Sequence, residues 1–172
     1  MLIKLIGGAV IILCAAKIGF DEAGKYGKRV RELRELQVAL VALKGEISFC
    51  RTPLAEALTK TARRLKTPAG EVFLAAGGGL KDGAATVKEA WDGAISAARK
   101  NLSLNGDDLD ILSAFGGLLG MSDAAGQLEN IELTSAKLSA REAEAEREEQ
   151  RFAKLYRSLG VIGGIFLAVL FL

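Results

Sequence analysis

The sequence predicts an all-α protein, a helical bundle of about six helices between an N-terminal and a C-terminal transmembrane helix. Three observations predict it. Apolar runs with few or no charges occupy both ends, apolar residues recur every three or four positions through the middle, and no stretch alternates with the period of two that marks a strand. Charge follows the same division. All 21 acids lie between Asp21 and Glu149, and of the 23 Lys and Arg residues only Lys4 and Lys17 fall outside 21–157. The middle is therefore neutral, the net charge of +2 comes from two membrane-flank lysines, and the composition gives no argument for nucleic-acid binding.

The first expected span covers residues 1–20, MLIKLIGGAVIILCAAKIGF, which holds no acid and carries Lys4 and Lys17 near its two ends. At about 1.5 Å per residue such a run is roughly 30 Å long, the thickness of a bilayer core. The terminal lysines can reach the interfaces. A retained anchor fits better than a cleaved signal peptide, because only one lysine precedes the apolar run and no small-residue cleavage pattern follows it. Bulky Leu13 before Cys14 argues against a lipoprotein signal.

The amphipathic helix expected next runs from Gly24 to Cys50, with Val30, Leu33, Leu36, Leu40, Leu43 and Ile47 on one stripe. Thr52-Pro53-Leu54-Ala55-Glu56 and Thr67-Pro68-Ala69-Gly70-Glu71 each read as a capping side chain, a proline in the first turn and an early acid. They predict two short helices, to about Leu65 and to about Ala76, with the glycines 77–79 breaking the chain. Thr86 to Glu89 has capping-box spacing and opens a helix with Val87, Ala90, Trp91, Ala94, Ile95 and Ala98 on one stripe. Asn105 or Asp107 caps the next, which carries Leu109, Leu112, Phe115 and Leu119. After a break at Gly120, Ser122 and Asp123 the last helix runs through Arg157.

The second expected span, residues 159–172 (LGVIGGIFLAVLFL), is uncharged but only about 21 Å long at 1.5 Å per residue. Phe152, Leu155 and Tyr156 extend it towards the headgroups. Basic residues 25–34 and 147–157 flank the two spans on the same loop, so the positive-inside rule places 21–158 in the cytoplasm and both termini outside. Gly160 and Gly164 form a GxxxG, and Ala15 with Gly19 a second small pair. They admit a close helix contact within the chain or between copies, the latter giving a homo-oligomer.

Residues 139–151, SAREAEAEREEQR, lack any large apolar residue. A solvated helix face explains that composition, and so does a charge-paired stalk. In the stalk reading Arg29, Arg31 and Arg34 face Glu142, Glu146 and Glu149 across two antiparallel helices. Each exposed pair would contribute at most about 1 kcal/mol, acting on register more than on stability.

No catalytic constellation emerges. Histidine is absent, removing the commonest general base and metal ligand. Cys50 follows Ile47 and Phe49 and is expected to be an inert buried thiol. Residues 77–83 lack the Gly-Lys-Ser/Thr ending of a phosphate loop. Asn101 to Asp110 echoes the start of a calcium loop, but Leu112 holds the place of its closing Glu, so Asp107, Asp108 and Asp110 read as helix-start acids. Neither a cofactor nor a metal is expected.

RELRELQVALVALKGEI, TPLAEAL, KDGAATVKEAW, the segment Leu104 to Leu112, LGMSDAAGQ at 119–127 and the charged helix before the C-terminal span occur in an order that resembles the stage III sporulation protein AB family of endospore formers. The loop is also similar to the helical domain of the inner-membrane platform protein of type II secretion and type IV pilus systems. There the TPL-x-x-AL turn and a later glycine-containing turn, here residues 119–123, recur. The resemblance implies a non-enzymatic component of the channel between mother cell and forespore, in the mother-cell-derived membrane. It implies as partners the secretion-ATPase-like stage III sporulation protein AA and other stage III sporulation membrane proteins, besides the lipid bilayer. Glu56, Arg63, Arg64, Asp123 and Gln127 are the polar positions in or near the matched turns that could bind the partner, capping being the structural alternative for Glu56 and Asp123. A helical stator or signalling anchor for another soluble complex is the competing function.

Overall fold

The computed structural model describes the backbone of residues 2–50, 52–83, 86–120 and 124–171, and the side chains of 7–50, 52–83, 86–120 and 125–170. Every regular element among them is helical: α1 (Leu2–Ser48), α2 (Leu54–Ala62), α3 (Ala69–Lys81), α4 (Val87–Ala98), α5 (Gly106–Leu118), α6 (Ala124–Glu148) and α7 (Lys154–Phe171). A π turn over Glu149–Ala153 joins α6 to α7 without a break. The chain divides into two compact units, residues 31–142 and residues 1–30 with 143–172.

In the 31–142 unit the core begins with the stripe expected on the first amphipathic helix. Leu33, Leu36, Leu40 and Leu43 of α1 are buried, as are Leu58 of α2, Phe73 of α3, Trp91 of α4, Leu112 and Phe115 of α5, and Ile131 and Leu138 of α6. Each such side chain removed from water contributes about 1.5–3 kcal/mol. The centre is aromatic. Trp91 meets Phe73 edge-on at 5.1 Å and Phe115 at 5.4 Å, and its Nε1 donates to Leu112 O at 2.7 Å. Gly116 lets α5 approach this ring, for a Cβ there would fall 2.1 Å from Trp91 Cδ1.

Helix starts follow the capping rules in two places and depart from them in two. Thr86 accepts from Glu89 N at 3.1 Å, and Asn105 and Asp108 form a reciprocal capping box at the head of α5. Thr52 and Thr67 do not cap. Thr52 Oγ1 donates to Glu46 Oε2 at 2.9 Å, while the amides of Lys66 and Thr67 donate to Glu35 Oε2, each at 2.9 Å. Burial pushes the Glu35 carboxyl up, but the hydrogen bonds from Thr67 and Lys66 together with the nearby Lys66 charge outweigh it and hold its pKa below the ordinary value. A carboxylate from another helix thus orders the α2–α3 connection in place of a local hydroxyl.

The two short helices also end elsewhere, at Ala62 and at Lys81. Glycines 77–79 do not break α3. A Cβ on Gly77 would stand 2.6 Å from Thr59 Oγ1 and 2.8 Å from Ala55 O, so this glycine is where α3 crosses α2 at backbone distance. The chain turns instead at Gly83, whose φ of +91° suits glycine.

In the other unit α1 pairs with α7 and the π turn. The amphipathic helix expected from Gly24 is the second part of a helix that starts at Leu2. Gly19 and Gly160 meet at backbone distance, a Cβ on Gly160 falling 2.9 Å from both Ala15 O and Gly19 Cα, and Gly164 lies against Ile12 and Ala15. Tyr26 stacks on Phe152 at 5.8 Å and on Tyr156 at 5.9 Å. One helix among the described residues, Ala125–Leu170, is long and apolar enough to cross a membrane by length and composition. Only 17 % of its most apolar stretch is buried, unlike a core helix. The expected first span includes Met1, which lies outside the described residues, and five further residues whose side chains do.

Candidate docking surface

The α1 helix is apolar on two sides within the 31–142 unit. At 100° per residue Val38, Val41, Ala42, Gly45 and Phe49 fall within a sector of roughly 100°, about opposite the buried leucines. Among the described residues that second stripe is left largely open: Phe49 is 88 % exposed, Val41 68 % and Val38 52 %. With Cys50, Glu46 and Arg64 these residues line a shallow groove of about 400 Å³. Cys50 is exposed, which corrects the expectation of a buried thiol. The helix ends at Ser48, and the two residues that follow it, Phe49 and Cys50, are exposed.

Glu46 anchors the polar edge of the groove. It is 8 % exposed, accepts from Thr52, and stands 3.3 Å from Arg64 Nη2 and 3.7 Å from Lys60 Nζ. Glu56 is exposed one turn before Lys60 and pairs with it at 3.0 Å. That hydrogen bond raises the Lys60 pKa. Arg63 follows the end of α2, is exposed, and lines a second groove of about 220 Å³ with Leu65, Lys66, Gly70, Glu71 and the half-exposed Leu74. The α2–α3 connection therefore presents Arg64 to one apolar groove and Arg63 to another.

The remaining residues singled out from the sequence are dispersed. Gln127 sits half-buried on α6 and lines neither groove, and Asp123 lies outside the described residues. Arg34 Nε donates to Glu142 Oε1 at 2.8 Å in one unit, and in the other Arg29 Nη1 meets Glu148 Oε2 at 2.5 Å. Gln37 shares the Glu142 carboxylate. Glu149 rests against Gly27, Arg31 is exposed and Glu146 half-buried. The helix-start acids face a cation of the protein itself. Arg141 Nε donates to the fully buried Asp108 at 3.0 Å and Nη2 to Asp107 at 2.9 Å. Among the described residues no group of three or more His, Cys, Asp or Glu could hold a metal ion.

Sequence reasoning that follows only the dominant stripe misses Val38, Val41 and Phe49. Their spacing, i, i+3 and i+11, was the available signal, and it shows as a second helical period once the core stripe is removed. Exposed apolar patches of this kind mark interaction surfaces.

Comparison with known proteins accords with this architecture. The family profile described as stage III sporulation protein AB matches residues 4–172. Stage III sporulation protein AB of Bacillus subtilis (strain 168) is 33 % identical over 169 residues, covering 98 % of this chain and 99 % of the relative. A solved structure of stage III sporulation protein AB superposes with a TM-score of 0.67 at 33 % identity, over 72 % of this chain and 98 % of that one. The chain belongs to the stage III sporulation protein AB family.

Proposed function

We propose that the chain is a non-enzymatic membrane platform of the mother cell–forespore channel complex. It holds a secretion-type ATPase, the stage III sporulation protein AA expected from the family resemblance, against the groove of Val38, Val41 and Phe49 with Arg63 and Arg64 beside it. The observation that carries the reading is Phe49, a phenylalanine 88 % exposed at the end of an apolar stripe on a helix whose opposite side is already packed. An aromatic anchor in an apolar groove with arginine at its edge has the composition of an interface hot spot. The terminal segments are the two spans, with 21–158 as the cytoplasmic part. The apolar, largely uncovered stretch of Ala125–Leu170 and the glycine-mediated approach of α1 to α7 support this. Arg29, Arg31 and Arg34 with Glu142, Glu146 and Glu149 fix the register of the helices that bear them.

Pull-down of the ATPase by the full chain in detergent tests the docking. Phe49→Asp combined with Val41→Asp changes exposed positions only, and the bundle should stay folded by circular dichroism. Loss of about 2–4 kcal/mol of binding, the range of a hot spot, is expected. Undiminished retention of the ATPase by that folded variant would show that it docks elsewhere.

A further inference from the structure

We propose that the cationic collar on the α1–α7 pair binds anionic phospholipid headgroups. Segments 17–29 and 147–157 hold eight Lys and Arg residues against four acids. Two of those acids are spent, Glu22 on Lys25 and Glu148 on Arg29, each at 2.5 Å. Lys17, Lys28, Arg151, Lys154 and Arg157 are all exposed. Antiparallel pairing brings them into one band, because Arg157 lies over the Phe20 ring at 5.9 Å while Tyr26 stacks on Phe152 and Tyr156.

The chemistry of the band suits a charged lipid surface. Aromatic rings sit at headgroup level, and here they hold two guanidinium groups in place, the second being Arg151 at 5.3 Å from the Phe152 ring centre. A guanidinium offers two parallel donors to a phosphodiester oxygen pair. Exposed cations beside an anionic leaflet each gain about fivefold in affinity, and a zwitterionic headgroup, with no net charge, returns little of it. The apolar residues that follow the collar on α7, Ile162, Phe166 and Val169, are exposed as lipid-facing residues would be.

This inference rests on the membrane reading above, and the test separates the two. The full chain is purified in detergent, titrated with phosphatidylglycerol or with phosphatidylcholine of the same acyl chains, and examined by native mass spectrometry. Phosphatidylglycerol should be retained roughly tenfold better or more. The triple variant Arg151→Gln, Lys154→Gln, Arg157→Gln should lose most of that preference while resisting carbonate extraction from membranes as the parent does. Equal retention of both lipids by the parent chain, or a preference undiminished by the triple substitution, overturns the proposal. Displacement of the lipid by inorganic phosphate at the same concentration overturns it in favour of a free-anion site. Release of the parent chain by carbonate overturns the membrane reading and the lipid site together.

Discussion

Replacing Trp91 with Ala should destabilise the 31–142 unit by about 3–5 kcal/mol, the range for truncating a large buried aromatic. The ring is fully buried between Phe73 and Phe115. Each edge-on aromatic contact adds about 0.5–1.5 kcal/mol beyond area. Collapse into the vacated volume is hindered because three helices meet there, and Gly116 has no side chain to move in. Hydrogen exchange of the full chain in detergent should show the slowest amides of α3, α4 and α5 exchanging roughly two to four orders of magnitude faster. Trp91→Phe keeps one aromatic ring and loses the bond from Nε1 to Leu112 O, so a penalty of about 1 kcal/mol from that bond plus a volume term for the missing ring is expected. A Trp91→Ala cost below about 1 kcal/mol would mean that this cluster is not the core.

Arg29→Glu is the second substitution with a large expected effect. The Arg29 side chain is 7 % exposed, and its guanidinium meets a Glu148 carboxylate that is 35 % exposed. Reversal places two carboxylates together in a partly desolvated position. Breaking a buried pair costs about 3–5 kcal/mol, and the half-open partner puts the expectation near the lower figure. Adding Glu148→Arg restores an opposite pair and should recover more than half of the loss. Exchange rates of the 20–30 and 148–158 amides report it. Equal damage in single and double variants would assign Arg29 a role unrelated to charge pairing with Glu148.

The comparison of sequence with structure divides along a physical line. Periodicity located the packed stripe from Leu33 to Leu43 and the stripe through Trp91, because burial enforces the helical repeat at each position. Thr86 and Asn105 were legible as caps because their partners lie three residues away in the same segment. Thr52 and Thr67 misled for the complementary reason: Glu46 and Glu35, from a different helix, accept from the Thr52 hydroxyl and from the Lys66 and Thr67 amides, contacts that no local spacing announces. Glycines 77–79 resemble a break, but a glycine at a close helix crossing and one at a turn are the same letter, and only the position of Ala55 and Thr59 decides. The π turn over Glu149–Ala153 has no sequence signature of its own. It falls where the glutamate-rich stretch gives way to Phe152 and Ala153, a half-buried ring and a buried methyl group. Arg63 and Arg64, singled out from the turn they adjoin, each line a groove. Phe49 was passed over because a reading of the dominant stripe alone leaves the second helical period unread.

The exposed thiol at Cys50 offers the most direct test of the proposed arrangement, a membrane-held chain with its helical body in the cytoplasm. With Cys14 replaced by Ser, a membrane-impermeant maleimide should label Cys50 in inverted membrane vesicles and leave it unmodified in right-side-out vesicles until detergent is added. Labelling in intact right-side-out vesicles would place the groove outside the cell, where no cytoplasmic ATPase could reach it.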